Sequence, residues 1–353
     1  MSAPLVTVLI DSYNYGRYIE EAIDSAIKQK FPHELREILV VDDGSTDDTP
    51  ERVKKYGDSI RYFRKANGGQ ASAFNFGFAE ARGEIVALLD ADDVWLPDKL
   101  RRVCGAFEKN PQVGMVYHQT HWWRAGEEIT GDPNFVEVSG RVPANRISLL
   151  RYPMSSTSCV AFRRDALHSV LPVPESLRSQ ADAYLTALII FVAPVAALPE
   201  PHAKYRLHGA NLFQTNGGEA SRSRIRHRMA MRAALSSEIR GWLERHGHDL
   251  SSPDLRDYLK QWTKAQEQDD FELHKPNRWR YFQHLVEYPR IYRDIKSARH
   301  RLYDYVRAFG ALLLGYDHVH LVDDLRRVYK GLPDKRAKEA KSSEERKESL
   351  ATN

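Results

Sequence analysis

Apolar runs and polar, helix-spaced stretches alternate through the first hundred residues. Residues 5–10 (LVTVLI) form a continuous β-rich run, the pattern of a strand covered on both faces. Residues 18–29 space Ile19, Ala22, Ile23, Ala26 and Ile27 at helical period. Residues 37–56 read as a strand, a polar turn and a helix start with Thr49 as N-cap and Pro50 at the first helical position. A short strand follows at 60–65, a helix at 68–83 with a glycine exit, and a third apolar strand at 84–93 that ends in acid. This alternation predicts a mostly parallel sheet flanked by helices, with any ligand at the carboxyl ends of the strands.

The later pattern is looser. Residues 155–167 read as strand then helix, 177–190 as a helix carrying Asp182, 184–199 as a buried helix running into a strand, and 204–213 as strand to loop. From about residue 219 the chain turns helical. One helix is expected over 291–313, with Ile291, Ile295, Ala298, Leu302, Tyr305, Val306, Phe309 and Leu312 on a single apolar stripe. Residues 333–353 are polar, mixed in charge and free of aromatics, the composition of a disordered tail. The domains expected are therefore 1–218, a helical region 219–332 and the tail 333–353.

Three polar clusters fall at predicted strand ends. The sequence DADD (90–93) places Asp90, Asp92 and Asp93 directly after LLD's leucines, where like charges repel and lose hydration. Oxygen-only ligands suit Mg²⁺ or Mn²⁺ shared with a substrate phosphate; a solvated acidic loop is the plainer alternative. VVDDGSTDDT (40–49) offers a carboxylate for a nucleobase or ribose, or only the residues that any turn and cap use. NGGQASAFNFG (67–77) allows close backbone approach, but it is neither a Walker loop nor a G-x-G-x-x-G fingerprint.

Their order is more specific than any one of them. Strand–SYN, strand–DDGSTD, NGG…NFG, strand–DADD…P and YRLHGAN resemble the family-two inverting glycosyltransferases of GT-A fold, over roughly residues 4–213. The resemblance implies a GT-A-type mostly parallel sheet, followed here by the helical C-terminal region and the tail. It implies a hexosyl- or N-acetylhexosaminyl-transferase using a nucleotide-sugar donor, UDP in preference to GDP or dTDP, and Mn²⁺ or Mg²⁺, in bacterial-type glycan or polysaccharide synthesis. It places Tyr13 beside the nucleobase, Asp43 on uracil or ribose and Asn75 in the wall of the donor pocket. Asp90 goes to the donor, with Asp92 and Asp93 to the metal. Arg206, His208 and Asn211 go to a loop over the diphosphate. Asp182 matches the catalytic base, although Ala181 stands where a Glu is usual. Asp11 replaces the proline that relatives often carry before SYN and is assigned to the donor side. The acceptor would be a glycan, a lipid-linked glycan or a protein.

Composition trims the alternatives. A net charge of +4 with 28% charged residues does not favour nucleic acid as a partner. The charge is uneven: residues 1–218 carry 24 Lys/Arg and 27 Asp/Glu, and residues 219–332 carry 22 and 16. Two distant cysteines, Cys104 and Cys159, without metal spacing fit a reducing cytoplasm. The start lacks signal-peptide features, and the longest apolar run contains Pro194. Arg interleaved with Trp279, Tyr281, Tyr288, Tyr292, Tyr303 and Tyr305 leaves open a peripheral contact with the inner face of a membrane, against plain helix packing. Trp122 and Trp123 read either as an acceptor platform or as part of an edge strand. Rival functions are a nucleotidyltransferase, which would want a Gly-rich basic loop after the first strand, and a non-catalytic sugar-nucleotide or glycan-binding protein.

Overall fold

The computed structural model describes residues 5–124, 127–129, 135, 137–142, 156–208, 222–291 and 298–316. The expected tail 333–353, Asn211 and Tyr292 lie outside the described residues. Within residues 1–273 the core is one sheet. Strands β1 (Val6–Ser12), β2 (Arg36–Asp42), β3 (Arg61–Arg64) and β4 (Ile85–Asp90) run parallel in the order β3-β2-β1-β4. The later strands are β5 (Val94–Trp95), β6 (Met115–Arg124), β7 (Glu127–Ile129), β8 (Val160–Arg163) and β9 (Val195–Arg206). They extend the sheet as β4-β8-β6-β9-β5, with β7 paired to β6. β8 is antiparallel to both β4 and β6, while β9 is parallel to β6.

The two-residue alternation of β1, β2 and β4 builds two cores. Leu9, Leu39, Val41, Val86 and Leu88 face one side and Val8, Ile10, Val40, Ala87 and Leu89 the other, all essentially without solvent. Each such side chain contributes about 1.5–3 kcal/mol when fully buried. Helices α1 (Gly16–Ile27), α2 (Thr49–Lys54), α3 (Gln70–Glu80), α4 (Lys99–Lys109), α5 (Arg164–His168) and α6 (Ala181–Val192) connect the strands. Helix α1 buries Ile19, Ala22, Ile23 and Ala26 on the second face, the stripe its spacing predicts. α3 buries Ala71, Ala73, Phe74 and Phe78 on the first. α6 is apolar around most of its circumference because it lies between the sheet and helices α7 (Arg222–Arg245) and α8 (Pro253–Leu273). The Tyr258 hydroxyl of α8 donates to the Ala187 carbonyl of α6 at 2.8 Å.

Four sequence expectations change. Asp47, not Thr49, satisfies the start of α2: its Oδ1 accepts from the Thr49 backbone N–H at 3.0 Å and from the Thr49 hydroxyl at 2.5 Å. α6 begins at Ala181 rather than 177, because Gln180 sits in the left-handed region at φ 64°. β6, which carries Trp122 and Trp123, is interior to the sheet, between β8 and β9. Of the helix expected over 291–313, the described residues from 298 on form α10 (Ala298–Leu314), Ile291 ends α9 (Arg278–Ile291), and 292–297 lie outside the described residues; both helices belong to a second compact unit that starts at His274. No helix among the described residues is long and apolar enough to cross a membrane.

Gly83 leads into β4 where β1 passes closest. A Cβ built there would stand 2.4 Å from the Thr7 amide nitrogen, which is backbone and has no room to yield. Gly83→Ala is expected to destabilise the protein by about 1–3 kcal/mol, measured as a lower urea midpoint with unchanged slope.

Candidate functional site

Parallel register makes the first pair. Asp11 on β1 is the lateral partner of Asp90 on β4, so two carboxylates leave neighbouring strands side by side. A tight turn then closes with the Asp93 amide on the Asp90 carbonyl at 3.1 Å. It returns Asp92 and Asp93 beneath Asp90, and one carboxylate oxygen from each of the three lies within 4.8 Å of the others. Asp92 and Asp93 are buried. Oδ2 of Asp93 and Oδ1 of Asp11 are buried without a hydrogen-bond partner. Burial, then the neighbouring carboxylates, push Asp90 well above the usual carboxylate range. Asp93 is raised likewise, by burial first and Asp92 second. Asp11 is raised to about 7, chiefly by burial, with Asp182 and Asp92 adding to it and its own backbone amide and Gln70 opposing. A buried carboxylate oxygen with no donor, among hard oxygen atoms, fits a divalent cation.

The acidic turn is braced from below by residues that the sequence did not single out. Ser158 lies in the turn of 3-10 helix Thr157–Cys159. Its hydroxyl accepts from the Asp90 amide at 3.0 Å, and its carbonyl accepts from Trp95 Nε1 at 3.1 Å and Lys99 Nζ at 2.5 Å. Lys99 is fully buried, with its ammonium 3.7 Å from the centre of the Trp95 ring. Burial lowers its pKa to about 7, against the pull of Cys159 and Asp93. A lysine opening an amphipathic helix reads as a surface residue, so nothing in the sequence marks it.

From above, β9 delivers cations. Its pairing with β6 carries Arg206 to the acids: the Arg206 backbone N–H donates to Asp93 Oδ1 at 2.9 Å, and Nε donates to the Asp92 carbonyl at 2.7 Å. Its guanidinium also reaches Glu21 at 2.8 Å and lies 4.1 Å from the Trp123 ring centre and 4.8 Å from that of Tyr18. His208 Nε2 is 2.8 Å from Asp92 Oδ2, its ring 5.1 Å from Tyr18 and 6.1 Å from Tyr15. Burial and then Asp92, Asp90 and Asp11 raise the Tyr15 hydroxyl. Of the three late-motif residues, Arg206 and His208 lie against the acidic turn, and Asn211 is outside the described residues.

Asp182 occupies the first turn of α6. Gln70 at the start of α3 accepts from the Ala181 N–H through Oε1 at 3.0 Å, and its own N–H donates to the Arg178 carbonyl at 2.9 Å. A carboxylate near a helix N-terminus is favoured, yet burial outweighs the helix amides and Thr157, and Asp182 is raised. Its charge acts on Asp11 and Asp90, which puts it in the same acidic basin.

The remaining residues sit around this basin with other partners. Asp43 accepts from the amides of Gly68 (2.9 Å) and Gly69 (2.6 Å) and from Lys65 (2.7 Å), so its carboxylate orders the NGG loop. Gly69 is needed there: its φ is 89° and a Cβ would fall 2.6 Å from Arg178 Cα. Asn75 exchanges two hydrogen bonds with the Val173 backbone, at 2.8 and 2.9 Å, which uses both ends of its amide. Tyr13 stands exposed at the end of β1. Beside it Asn14 (φ 58°) joins the first two loops, receiving the Thr46 amide at 2.7 Å and donating its own to Ser45 at 2.9 Å.

Comparison with known proteins agrees with this arrangement. Residues 7–171 match the family described as Glycosyl transferase family 2. An uncharacterized glycosyltransferase of Rickettsia typhi is 42% identical over 221 residues, covering 60% of this chain and 67% of that protein. One from Nostoc is 37% identical over 215 residues; the match spans 58% of this chain but 66% of that protein. The match to an uncharacterized glycosyltransferase of Rickettsia felis spans only 25% of its length. Among solved structures, S. aureus TarS 1–349 in complex with UDP superposes with a TM-score of 0.57 at 19% identity, over 88% of this chain and 92% of that one. The mannosyltransferase PcManGT of Pyrobaculum calidifontis, in complex with GDP-Man and Mn²⁺, gives 0.51 at 20%, over 94% and 89%. At such identities the likeness is one of fold, and the GT-A-type sheet expected from the sequence is borne out.

The crowded acids set a pH dependence. A carboxyl raised on folding stabilises most below its unfolded pKa, and that contribution is lost as pH climbs to the folded value. For Asp11 the window runs from 3.8 to about 7; Asp90, Asp93 and Asp182 shift in the same direction. Metal-free protein should therefore lose stability across that window in urea titrations. Asp11→Asn should recover on the order of 2 kcal/mol at neutral pH and nothing near pH ~4. An equal loss in wild type and variant would contradict the crowding.

Proposed function

This chain belongs to glycosyltransferase family 2, and we propose that it moves a hexosyl or N-acetylhexosaminyl group from a nucleoside diphosphate sugar, UDP-linked, to an acceptor hydroxyl of a growing glycan, with inversion. The convergence of Asp90, Asp92 and Asp93, with Asp182 near enough for its charge to act on Asp90, supports this most directly. Asp90, Asp92 and Asp93 would hold Mn²⁺ or Mg²⁺, which when bound neutralises the charge that grows on a departing diphosphate. Their fit rests on hard oxygen donors, mutual proximity and the orphaned Asp93 Oδ2. The same pairing of donor and metal chemistry supports it by likeness of fold: TarS is known with UDP and with UDP-GlcNAc, and PcManGT with GDP-Man and Mn²⁺.

The chain's own residues divide the remaining work. Asp182 accepts the proton of the attacking hydroxyl. Its raised affinity for protons brings a carboxylate nearer the neutral range in which a general base works best. A single base on the face of the sugar opposite the leaving group gives inversion at the anomeric carbon. Arg206 places positive charge where the diphosphate leaves, fixed by Asp92, Asp93, Glu21 and two aromatic rings, and His208 offers a ring N–H beside it. Asp11, beside Asp90, lines the donor side of the basin. Tyr13 is placed to cover the nucleobase from its exposed position, and the NGG loop held by Asp43 forms the adjoining wall. Asn75 acts on that wall indirectly, through Val173.

Thermal melts with UDP, GDP and dTDP, each with and without Mn²⁺, test the donor. Stabilisation by UDP that requires metal and disappears in Asp92→Asn is expected, about 2.7 kcal/mol at a hundred times the dissociation constant. A larger shift with GDP would reassign the donor, and no shift with any nucleotide would remove the reading. Separately, Asp182→Asn should keep metal-dependent UDP binding while sugar transfer falls about 10²–10⁴-fold. Unchanged transfer would move the base elsewhere.

A further inference from the structure

The large apolar side chains that the described residues leave exposed are not scattered. Six of the eight, Trp279, Leu302, Val306, Phe309, Leu313 and Leu314, fall on α9 and α10, each between 41% and 73% exposed. On α10, Leu302, Val306, Phe309 and Leu313 recur at spacings of four, three and four, so they form one narrow stripe. Ala308 and Ala311, on the opposite side, are completely buried. The helix thus packs through its small residues and presents its large ones to solvent, the reverse of an ordinary amphipathic helix. α9 continues the surface: Trp279 stacks on Phe282 with ring centres 5.4 Å apart, and Phe282 meets Phe309 at 5.3 Å. Isolated exposed apolar residues are common, but a contiguous patch across two helices marks a contact surface.

Charge selects the occupant. Among the described residues, the exposed arginines of these two helices are Arg278 and Arg280. They flank Trp279. Arg278 also donates to the Leu313 carbonyl at 2.9 Å, which sets a guanidinium beside the end of the apolar stripe. A second copy of the same face would bring like charges at Arg278 and Arg280 into the contact. An anionic bilayer surface would receive the apolar stripe among its acyl chains, the tryptophan at headgroup level and the arginines at its phosphates. We propose that the exposed face of the α9–α10 pair lies on an anionic lipid surface, in the plane of the membrane and without spanning it. The proposal stands on residues 278–314 alone and assumes nothing about the sugar reaction.

The test is co-sedimentation of the full-length protein with phosphatidylcholine vesicles and with vesicles that also contain phosphatidylglycerol. Binding should require the anionic lipid and weaken with salt. Leu302→Glu with Phe309→Glu should reduce it about tenfold or more, and Arg278→Gln or Arg280→Gln about fivefold each. Leu302 and Phe309 are already exposed, so unchanged circular dichroism and melting should accompany the loss in the double glutamate variant. Absence of pelleting, or pelleting that the glutamates leave intact, overturns the proposal. So does a dimer in sedimentation velocity that dissociates in the double glutamate variant, because the face is then covered by a second copy.

Discussion

Electrostatic repulsion among carboxylates is the constraint around which the rest of this sheet is arranged. Asp11, Asp90, Asp92, Asp93 and Asp182 share a basin that removes much of their water. Unpaired, such groups would neutralise by taking up protons or would drive the loops apart. The protein resists the second outcome mechanically. The Asp90 amide is fastened to Ser158, the Asp93 amide to Asp90, and the Arg206 backbone to Asp93. The acids are held in place largely through their backbone groups, which leaves Asp11 Oδ1 and Asp93 Oδ2 buried without partners.

The cations nearby are placed so that they do not cancel this field. Lys99 is buried behind the turn and spends its ammonium on a carbonyl and an indole ring. Arg206 contributes its side chain to the Asp92 carbonyl and to Glu21 rather than to the acid cluster's oxygens. His208 touches Asp92 with its ring, and Arg206 reaches Asp93 Oδ1 through its backbone N–H. The result is a rigid pocket of negative charge with its positive residues on the rim, suited to a cation and a diphosphate arriving together.

Much of this was readable because period and order are strong signals. The alternation in β1, β2 and β4, the α1 stripe and the sequence of strand-end clusters fixed a parallel sheet and the place where the clusters meet. Asp90, Asp92, Asp93, Arg206 and His208 were found through motifs, and the structure assembles them. What escaped depended on contacts between residues far apart in sequence. Asp11 had no account as a single substitution in a motif, and it acquired one only when register set it beside Asp90. Ser158 and Lys99 have ordinary neighbours in sequence and become important through packing. Asp43 and Asn75 read as reaching toward a ligand, while their partners are the NGG loop and Val173. Of the stripe read over 291–313, Leu302, Val306 and Phe309 do share a side, yet periodicity says which residues share a side and not whether that side meets protein or solvent.

The lateral pairing of Asp11 with Asp90 has a consequence for how such a site can change through descent. Their separation is set by the hydrogen bonds of two parallel strands, to which every residue type but proline brings both a donor and an acceptor, and owes nothing to the side chains themselves. Position 11 therefore behaves like a socket at fixed coordinates. A different residue can be fitted into it while the turn at 90–93 stays where it is, so the chemistry of the donor side can diversify among relatives without any redesign of the scaffold.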